Sequence, residues 1–234
     1  MPATLDGSLS DSMESRFSGL TANQLVKWSV EEFGDELAVS TSFGIQSAVT
    51  LHLVTKIHPE VRIVWVDTGY LHQETYAYVR TLTKRLNLNL HIYESPLSPR
   101  EMERIHGRLW ESDQLEDLDL YDRIRKVEPM QRALNELNVR GWLSGLRAEQ
   151  TEFRKSLPPI KRQGNRYRIY PILHWTSKDI YEYMQKHSLP QHPLFEQGYT
   201  TVGDVHSSRP MTAQDSSERD TRFHGLKQEC GLHL

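Results

Sequence analysis

The chain has 234 residues, of which 37% are hydrophobic and 25% charged, a composition typical of a globular protein with one large or two small domains. Its formal net charge of −3 at pH 7 is too close to neutral for a dedicated nucleic-acid-binding protein. No run approaches the ~18 apolar residues that cross a bilayer, and the acidic, serine-rich start lacks the pattern of a secretory signal. We therefore expect a cytoplasmic protein that binds neither nucleic acid nor a membrane.

The N-terminal segment differs from the rest of the chain. Residues 1–20 are polar and carry no sustained period, which predicts a loosely ordered arm. Thr21 suits a helix N-cap, and apolar residues then recur at helical spacing up to Phe33. Gly34 is the expected end of that helix. The folded part is therefore expected to begin near Thr21.

Strands and helices alternate through the rest of the chain. Apolar runs predict strands at Leu37–Ser40, from Val61, from Leu88, from Gly141 and from Arg166. The second run is apolar at nearly every residue, as expected for a parallel strand covered on both faces. The acidic stretch ESDQLEDLDLYD is expected to be exposed. Helical patterns occur in IQSAVTLHLVTKI, HQETYAYVRTLTKRLN, PREMERIHGRLW, KVEPMQRALNELN and TSKDIYEYMQKH. This order predicts an α/β fold with a doubly wound, mostly parallel sheet.

The first polar turn follows the first predicted strand. Ligands of parallel α/β sheets bind beyond the carboxyl ends of the strands, where helix N-termini favour anions. The turn reads STSFG at residues 40–44. Small hydroxyl residues and a glycine let a backbone approach an anionic oxygen, although a serine cluster that merely caps a helix has the same sequence. The turn matches neither GxxxxGK[ST] nor GxGxxG, which argues against an ordinary NTPase and a dinucleotide oxidoreductase.

Two further turns carry charged residues. Asp67 ends the second strand in DTGY, where an aspartate either caps the next helix or binds a nucleotide. Arg147 follows the fourth strand in SGLR, and Arg154 comes shortly after it. Planar guanidinium groups suit phosphate or sulfate, but two solvated arginines would give the same pattern.

The C-terminal tail, ERDTRFHGLKQECGLHL, contains the single cysteine of the chain, Cys230. One cysteine excludes an intrachain disulfide, a four-thiolate zinc site and an iron–sulfur cluster held by four cysteines of the chain. A lone cysteine is usually an inert buried residue. This one lies outside any core-like pattern, among cations that lower the pKa of a thiol, so the sequence favours a reactive thiolate. The histidines form no HExxH motif, and we expect no bound metal.

Several segments, taken in order, resemble the thioredoxin-dependent 3′-phosphoadenylylsulfate (PAPS) reductases. They are STSFG, VDTGYLHQET, RKVEP with RAL, SGLRAEQTEFR, PLFEQGYTTVGD and the terminal KQECGLH. The resemblance implies an adenine-nucleotide α-hydrolase-like (PP-loop related) fold. It divides the chain into the arm at 1–20, a nucleotide-binding reductase domain at 21–210 and a mobile catalytic tail at 211–234.

A sister group, the adenylylsulfate (APS) reductases, carries a Cys-Cys pair before R-K-V and a later Cys-x-x-Cys, which bind a [4Fe-4S] cluster. Here Tyr121 and Asp122 stand at the first pair, and Asp204 and Ser207 at the second. The resemblance therefore implies a cluster-free enzyme and favours PAPS over APS as the substrate.

The resemblance also implies a mechanism for sulfate assimilation. The Cys230 thiolate attacks the sulfonyl sulfur, adenosine 3′,5′-bisphosphate (PAP) leaves, and reduced thioredoxin or glutaredoxin resolves the S-sulfocysteine to release sulfite. Fixed cations must offset the repulsion between the thiolate and the sulfate. The implied anion ligands are Lys126, Arg147, Arg154, Arg219 and Arg222, with His224 and His233 as further partners of the thiolate or a phosphate. The implied nucleotide pocket consists of Ser40, Ser42, Phe43, Gly44 and Asp67, and the 3′-phosphate candidates are Arg147, Arg154, Lys161 and Arg162.

Three other functions stay open at this point. A cluster-free APS reductase would keep the same residues. A PP-loop adenylyltransferase would need an SGGxDS-like loop, from which STSFGIQS departs. In a non-enzymatic nucleotide-binding redox module, Cys230 would only form disulfides. For the assembly, we expect a homodimer.

Overall fold

The protein was analysed as a computed structural model that describes residues 17, 19–215, 217–227, 229 and 231–232, except for the side chain at 224. These residues form a six-stranded sheet in the order β3-β2-β1-β4-β6-β5. All neighbouring strands are parallel except β5 and β6. The strands are Leu37–Thr41 (β1), Arg62–Asp67 (β2), Asn89–Glu94 (β3), Gly141–Ser144 (β4), Ile160–Gln163 (β5) and Arg166–Ile169 (β6).

Helices cover both faces of this sheet, so the predicted doubly wound α/β architecture is confirmed. The π-helical turn Arg123–Val127 joins two of them into one continuous segment. The helices are Ala22–Phe33 (α1), Ser47–Thr55 (α2), Gln73–Leu86 (α3), Pro99–His106 (α4), Leu115–Asp122 (α5), Glu128–Glu136 (α6), Glu152–Lys155 (α7) and Ser177–Lys186 (α8). No helix within the described ranges is long and apolar enough to span a membrane.

Local sequence explains where the helices begin. The Thr21 hydroxyl oxygen accepts a hydrogen bond from the backbone N–H of Gln24, and the Gln24 side-chain oxygen accepts one from the backbone N–H of Thr21. The same reciprocal capping box starts α4 at Ser98 and α8 at Thr176. The predicted cap at Thr21 is therefore confirmed. Phe17, within the predicted arm, is buried against α1, with its ring 4.5 Å from that of Trp28.

Alternate residues of the central strands pack into different apolar clusters. Val39 and Ile63 belong to the larger cluster on one face of the sheet, whereas Ala38 and Val64 belong to a smaller cluster with α6 on the other. Burial on both faces is the reason that consecutive residues in the middle of these strands are apolar. The core thus holds the carboxyl ends of β1, β2 and β4 in fixed positions.

Two segments differ from the sequence prediction. The acidic stretch that was expected to be exposed contains helix α5, with Leu118 and Tyr121 fully buried. Its apolar period is hard to see because two further buried residues, Asp122 and Arg125, are charged. Strand β5 was missed because it is an edge strand with one buried residue, and it turns into β6 through Gly164-Asn165, a dipeptide typical of tight hairpins.

Candidate active site

A cavity of about 260 Å³ opens at the carboxyl ends of β1 and β4. The chain runs outward from β1 to β3 and then returns to β4 on the other side of β1. The cavity therefore lies at the topological switch point, where ligands bind in folds of this class. Predicted site residues that line it are Ser40, Ser42, Gly44, Lys126, Arg154, Arg219 and Arg222. Residues from the strand turns and from near the C-terminus thus meet at one cavity.

The turn after β1 is anchored by Phe43, which does not itself line the cavity. Phe43 has φ +49° and is fully buried, with its ring 5.5 Å from that of Trp65 in an edge-on contact. Its backbone N–H donates to Thr41 Oγ1 at 3.0 Å. The residues on either side of Phe43 then face the cavity.

Asp67 also lies outside the cavity lining and shapes the second turn. Its Oδ1 accepts the backbone N–H of Gly69 at 2.8 Å and the hydroxyl of Tyr76 at 2.7 Å. Burial, and then this bond to Asp67, raise the pKa of Tyr76 above its usual range. In this structure Asp67 therefore acts within the protein as a turn residue.

A buried lysine bridges two buried carboxylates on one wall of the cavity. Lys126 Nζ lies 2.9 Å from Asp122 Oδ1 and 2.9 Å from Asp204 Oδ2, and the Thr68 hydroxyl donates to Asp204. Burial by itself raises the pKa of Asp204, but Lys126 and the neighbouring donors outweigh it and hold that pKa well below its usual range. Asp204 is therefore ionised, and the bridge is a charged network.

The four residues at the positions of the sister group's cysteines come together around this lysine. Tyr121, Asp122, Asp204 and Ser207 are all at most 2% exposed. The Lys126 ammonium lies 5.1 Å from the centroid of the Tyr121 ring. An ammonium ion and its carboxylates thus occupy the centre of this cluster. Within the described ranges, no group of three or more His, Cys, Asp or Glu residues could hold a metal ion.

A histidine beside this network is held neutral. His206 stacks on Trp110, with ring centroids 4.1 Å apart and planes at 8°, and its Nε2 is 3.0 Å from the Tyr121 hydroxyl. Burial, with help from Lys126 and Arg222, lowers the pKa of His206 to about 4. The imidazole is therefore uncharged at neutral pH and packs as an aromatic ring.

Arg222 depends on a glycine for its place in the cavity. Its guanidinium lies directly over Gly203, where any Cβ would overlap it, and Nη2 is 3.4 Å from the Ser207 hydroxyl. Gly203 is the glycine of the VGD sequence, and sequence reasoning assigned it no role. The sequence signal that could have drawn attention to Gly203 was its place beside Asp204 in a mostly polar loop.

Arg154 is paired with a carboxylate from the tail. Its Nε and Nη2 donate to Glu229 Oε1 and Oε2 at 2.8 Å each, and the Thr151 hydroxyl donates to Glu229 Oε1 at 2.8 Å. Arg219 Nη2 is 3.7 Å from Glu229 Oε2. Sequence reasoning missed both Thr151 and Glu229, because they are 78 residues apart and no local period connects them.

Other predicted residues lie away from the cavity or outside the described residues. Arg147 is buried, and it binds Glu149 and lies 3.3 Å from the Ser177 hydroxyl. Lys161 and Arg162 lie on the exposed part of β5. None of these three lines the cavity. Cys230, His233 and the side chain of His224 lie outside the described residues.

Comparisons with known proteins agree on one family. The model of the phosphoadenosine phosphosulfate reductase domain matches residues 36–210. A phosphoadenosine 5′-phosphosulfate reductase of Synechocystis sp. is 57% identical and covers 95% of this chain and 89% of its own. One of Xanthomonas axonopodis pv. citri is 47% identical and covers 95% and 92%.

Solved structures extend the likeness to the fold. A phosphoadenylyl-sulfate (PAPS) reductase of Candida auris, in complex with phosphate, superimposes with a TM-score of 0.75 at 30% identity, over 88% of this chain and 99% of that one. An FMN adenylyltransferase of Candida glabrata gives 0.57 at 16% identity, over 92% and 73%, which shows the fold alone. The predicted fold class and family resemblance are confirmed: the chain belongs to the phosphoadenosine phosphosulfate reductase family, a family of oxidoreductases.

Proposed function

We propose that the chain reduces PAPS to sulfite and PAP through the thiolate of Cys230. The observation that carries this proposal is the cavity at the switch point of the sheet, with the cations Lys126, Arg154, Arg219 and Arg222 in its walls. Such a group of cations suits a substrate with phosphate and sulfate groups. The tail that contains Cys230 contributes lining residues to this same cavity.

The reaction has two steps that balance. In the first, Cys230 Sγ forms a bond to the sulfonyl sulfur, the bond from that sulfur to the phosphate oxygen breaks, and PAP leaves with the electron pair. In the second, a thioredoxin or glutaredoxin thiolate attacks Cys230 Sγ and sulfite leaves. A second thiol of the donor then releases Cys230, so that the donor's two thiols are oxidised to a disulfide and supply both electrons.

The charges of the cavity explain why such a reaction is feasible. A thiolate and a sulfate repel each other, and fixed cations aimed at the developing charge lower that barrier; one preorganised oxyanion-hole donor, for scale, is worth roughly 2.7 to 4 kcal/mol. Arg222 is buried to 8% exposure and lies against Gly203, so it is preorganised. Lys126 is already paired with two carboxylates. It therefore acts mainly through its contribution to the electrostatic potential at that wall of the cavity.

Substrate choice rests on the 3′-phosphate. Of the four candidates for its recognition, Arg147, Lys161 and Arg162 do not line the cavity, whereas Arg154 does. The Nε and Nη2 groups of Arg154 bind Glu229 in this structure, so Arg154 would favour the 3′-phosphate through its charge and not through these two groups. Two charge-assisted hydrogen bonds of roughly 1.5 to 3 kcal/mol each would favour PAPS over APS by about 10² to 10⁴ in catalytic efficiency. Measuring sulfite release from both nucleotides tests this choice, and equal efficiencies would contradict it while leaving the cysteine chemistry standing.

Replacement of the thiol tests the mechanism. We expect Cys230→Ser to abolish sulfite release and to leave PAP affinity within about threefold, since the pocket is formed by other residues. Incubation of the unaltered protein with PAPS alone should add the mass of one SO3 group to Cys230. Retained sulfite release by the Cys230→Ser variant would refute the mechanism.

The assembly and location of the enzyme are further proposals. The family resemblance supports a cytoplasmic enzyme with thioredoxin as its partner, and we expect a homodimer. Size-exclusion chromatography with light scattering tests the dimer, and exchange of thioredoxin for glutaredoxin in the sulfite assay tests the donor.

A further inference from the structure

The described part of the tail binds two walls of the cavity with side chains of opposite charge. Lys227 Nζ lies 2.6 Å from Asp119 Oδ1 and 2.7 Å from Asp122 Oδ2, both on α5. Two residues later, Glu229 binds Arg154 on α7. Helix α5 leads into the Lys126 wall, whereas α7 follows β4, on the other side of β1 in the sheet. The tail thus bridges the cavity from one wall to the other.

The Glu229 end of this bridge has the geometry of a strong contact. Both carboxylate oxygens accept from Arg154 at 2.8 Å, the two-bond arrangement that adds both energy and direction. The Glu229 side chain is 10% exposed, so solvent screens the pair weakly. Burial raises the pKa of Glu229, but Arg154 and Arg219 outweigh burial and the pKa lies below its usual value.

The Lys227 end is also shielded, with 11% of its side chain exposed. Burial lowers the pKa of Lys227, but the bonds to Asp119 and Asp122 outweigh it and the pKa lies above its usual value. Beyond Glu229, Leu232 lines the cavity and packs on the cluster that contains Met130. Glu229 and Leu232 therefore both contact the lining of the cavity.

The order of the charges fixes the register of the tail. A slip of two residues toward either wall would place Lys227 near Arg154 or Glu229 near Asp122, and like charges in contact are unfavourable. A tail of neutral residues would have no such preference. The alternation therefore selects one position of the tail along the cavity.

We propose that Lys227 and Glu229 form a charge clamp that positions the tail so that Cys230, the residue after Glu229, reaches the substrate sulfur. Both are positioning residues that act on Cys230 through the backbone. This proposal rests on the proposed function, because it assumes that Cys230 is the nucleophile.

The first test is Glu229→Gln, which keeps the shape and an acceptor for Thr151 but removes the charge. We expect the rate at which PAPS adds SO3 to Cys230 in a single turnover to fall about 10- to 100-fold, the worth of one charged hydrogen-bond pair. PAP affinity, measured by calorimetry, should change by less than about threefold. Glu229→Asp, which keeps the charge, should recover part of the rate.

Matched variants separate the clamp from a general loss of charge or stability. Glu152→Gln removes a carboxylate whose side chain is 88% exposed on the same helix as Arg154, and it should leave the rate unchanged. Lys227→Gln should slow the adduct step as Glu229→Gln does. Amide hydrogen exchange in residues 217–234 should be faster in both clamp variants, while exchange in the strands of the sheet stays that of the parent.

Each outcome decides one of the two proposals. No adduct on the unaltered protein would refute the proposed function, and the exchange data would still report whether the clamp holds the tail. A normal adduct with unchanged rate and exchange in Glu229→Gln would refute the clamp. Tighter PAP binding in Glu229→Gln would also refute it, because Glu229 would then compete with the substrate for Arg154.

Discussion

Two further parts of the cavity lining, the sheet wall and the tail wall, are held by different forces. The sheet wall, residues 40–44 and 144–146, is held by buried apolar packing and close backbone approach: Phe43 is fully buried, and a Cβ at Gly145 would come within 2.5 Å of Thr50 Oγ1. The tail wall, to which Arg219, Arg222 and Leu232 contribute, is held by ion pairs such as Arg154 with Glu229. The steric fit of the sheet wall determines where a nucleotide can lie, and a single charge change does not alter it. The ion pairs of the tail wall position the reacting tail, and the removal of one charge breaks such a pair. Single charge changes should therefore affect reaction more than nucleotide binding.

The largest effect is expected at Asp204, in the charged network around Lys126. Asp204→Asn removes one of the two carboxylates that balance the buried Lys126. Breaking a buried pair leaves a charge partly uncompensated, and we expect a loss of about 3 kcal/mol in the free energy of unfolding. Urea denaturation measures it. Asp113→Asn, at an exposed position, is the control and should cost less than about 0.5 kcal/mol.

A change of similar size is expected from pH through His206. Its pKa in the folded protein is about 4, below the ordinary 6.5, so the unfolded chain binds more protons between these two values. The free energy of unfolding should therefore rise with pH across this window, and this contribution, about 3 kcal/mol for the full shift, is lost as pH falls. His206→Phe keeps a ring on Trp110 and should reduce the slope, leaving the part that comes from His192, whose pKa is also lowered to about 4 by burial. An unchanged slope would show that folding does not lower the pKa of His206.

A smaller effect, confined to reaction, is expected from Gly203→Ala. The new methyl group would displace the Arg222 guanidinium, whose far end can move without unfolding the loop. Catalytic efficiency should fall about 10- to 100-fold, with unfolding changed by less than about 1 kcal/mol. Gly19→Ala, where a Cβ meets nothing within 4 Å, should match the parent. A fall in the free energy of unfolding as large as the loss in activation free energy would contradict the steric explanation.

The contrast between the walls also explains what could be predicted from the sequence. The sheet wall follows from local patterns: apolar runs gave the strands, Thr21 and Gly34 bounded the first helix, and STSFG marked the turn. The tail wall depends on pairs far apart in the chain, such as Lys227 with Asp119, which are 108 residues apart. No local period encodes such a pair, so the partners of the predicted arginines could not be read from sequence.

Buried charges account for the remaining errors. Helix α5 has Asp122 on its buried face, and the adjoining turn buries Arg125 and Lys126. A reading based on hydrophobic periodicity treats charged residues as exposed. It therefore predicts a solvated surface at these positions, although the side chains face the core. Arg147 shows the reverse case, since an arginine in a ligand-like motif is buried and pairs through Nη1 with Glu149 within the protein.

The smallest effect is expected on β5, at two of the residues first considered for the 3′-phosphate. Lys161 and Arg162 are exposed on an edge strand and do not line the cavity. Solvated cations of this kind act on a bound phosphate only through a screened field. Lys161→Ala and Arg162→Ala should therefore leave the ratio of efficiencies on PAPS and APS within about twofold of the parent. A tenfold fall in that ratio, about 1.4 kcal/mol, would mean that the β5–β6 hairpin contacts the 3′-phosphate in the complex.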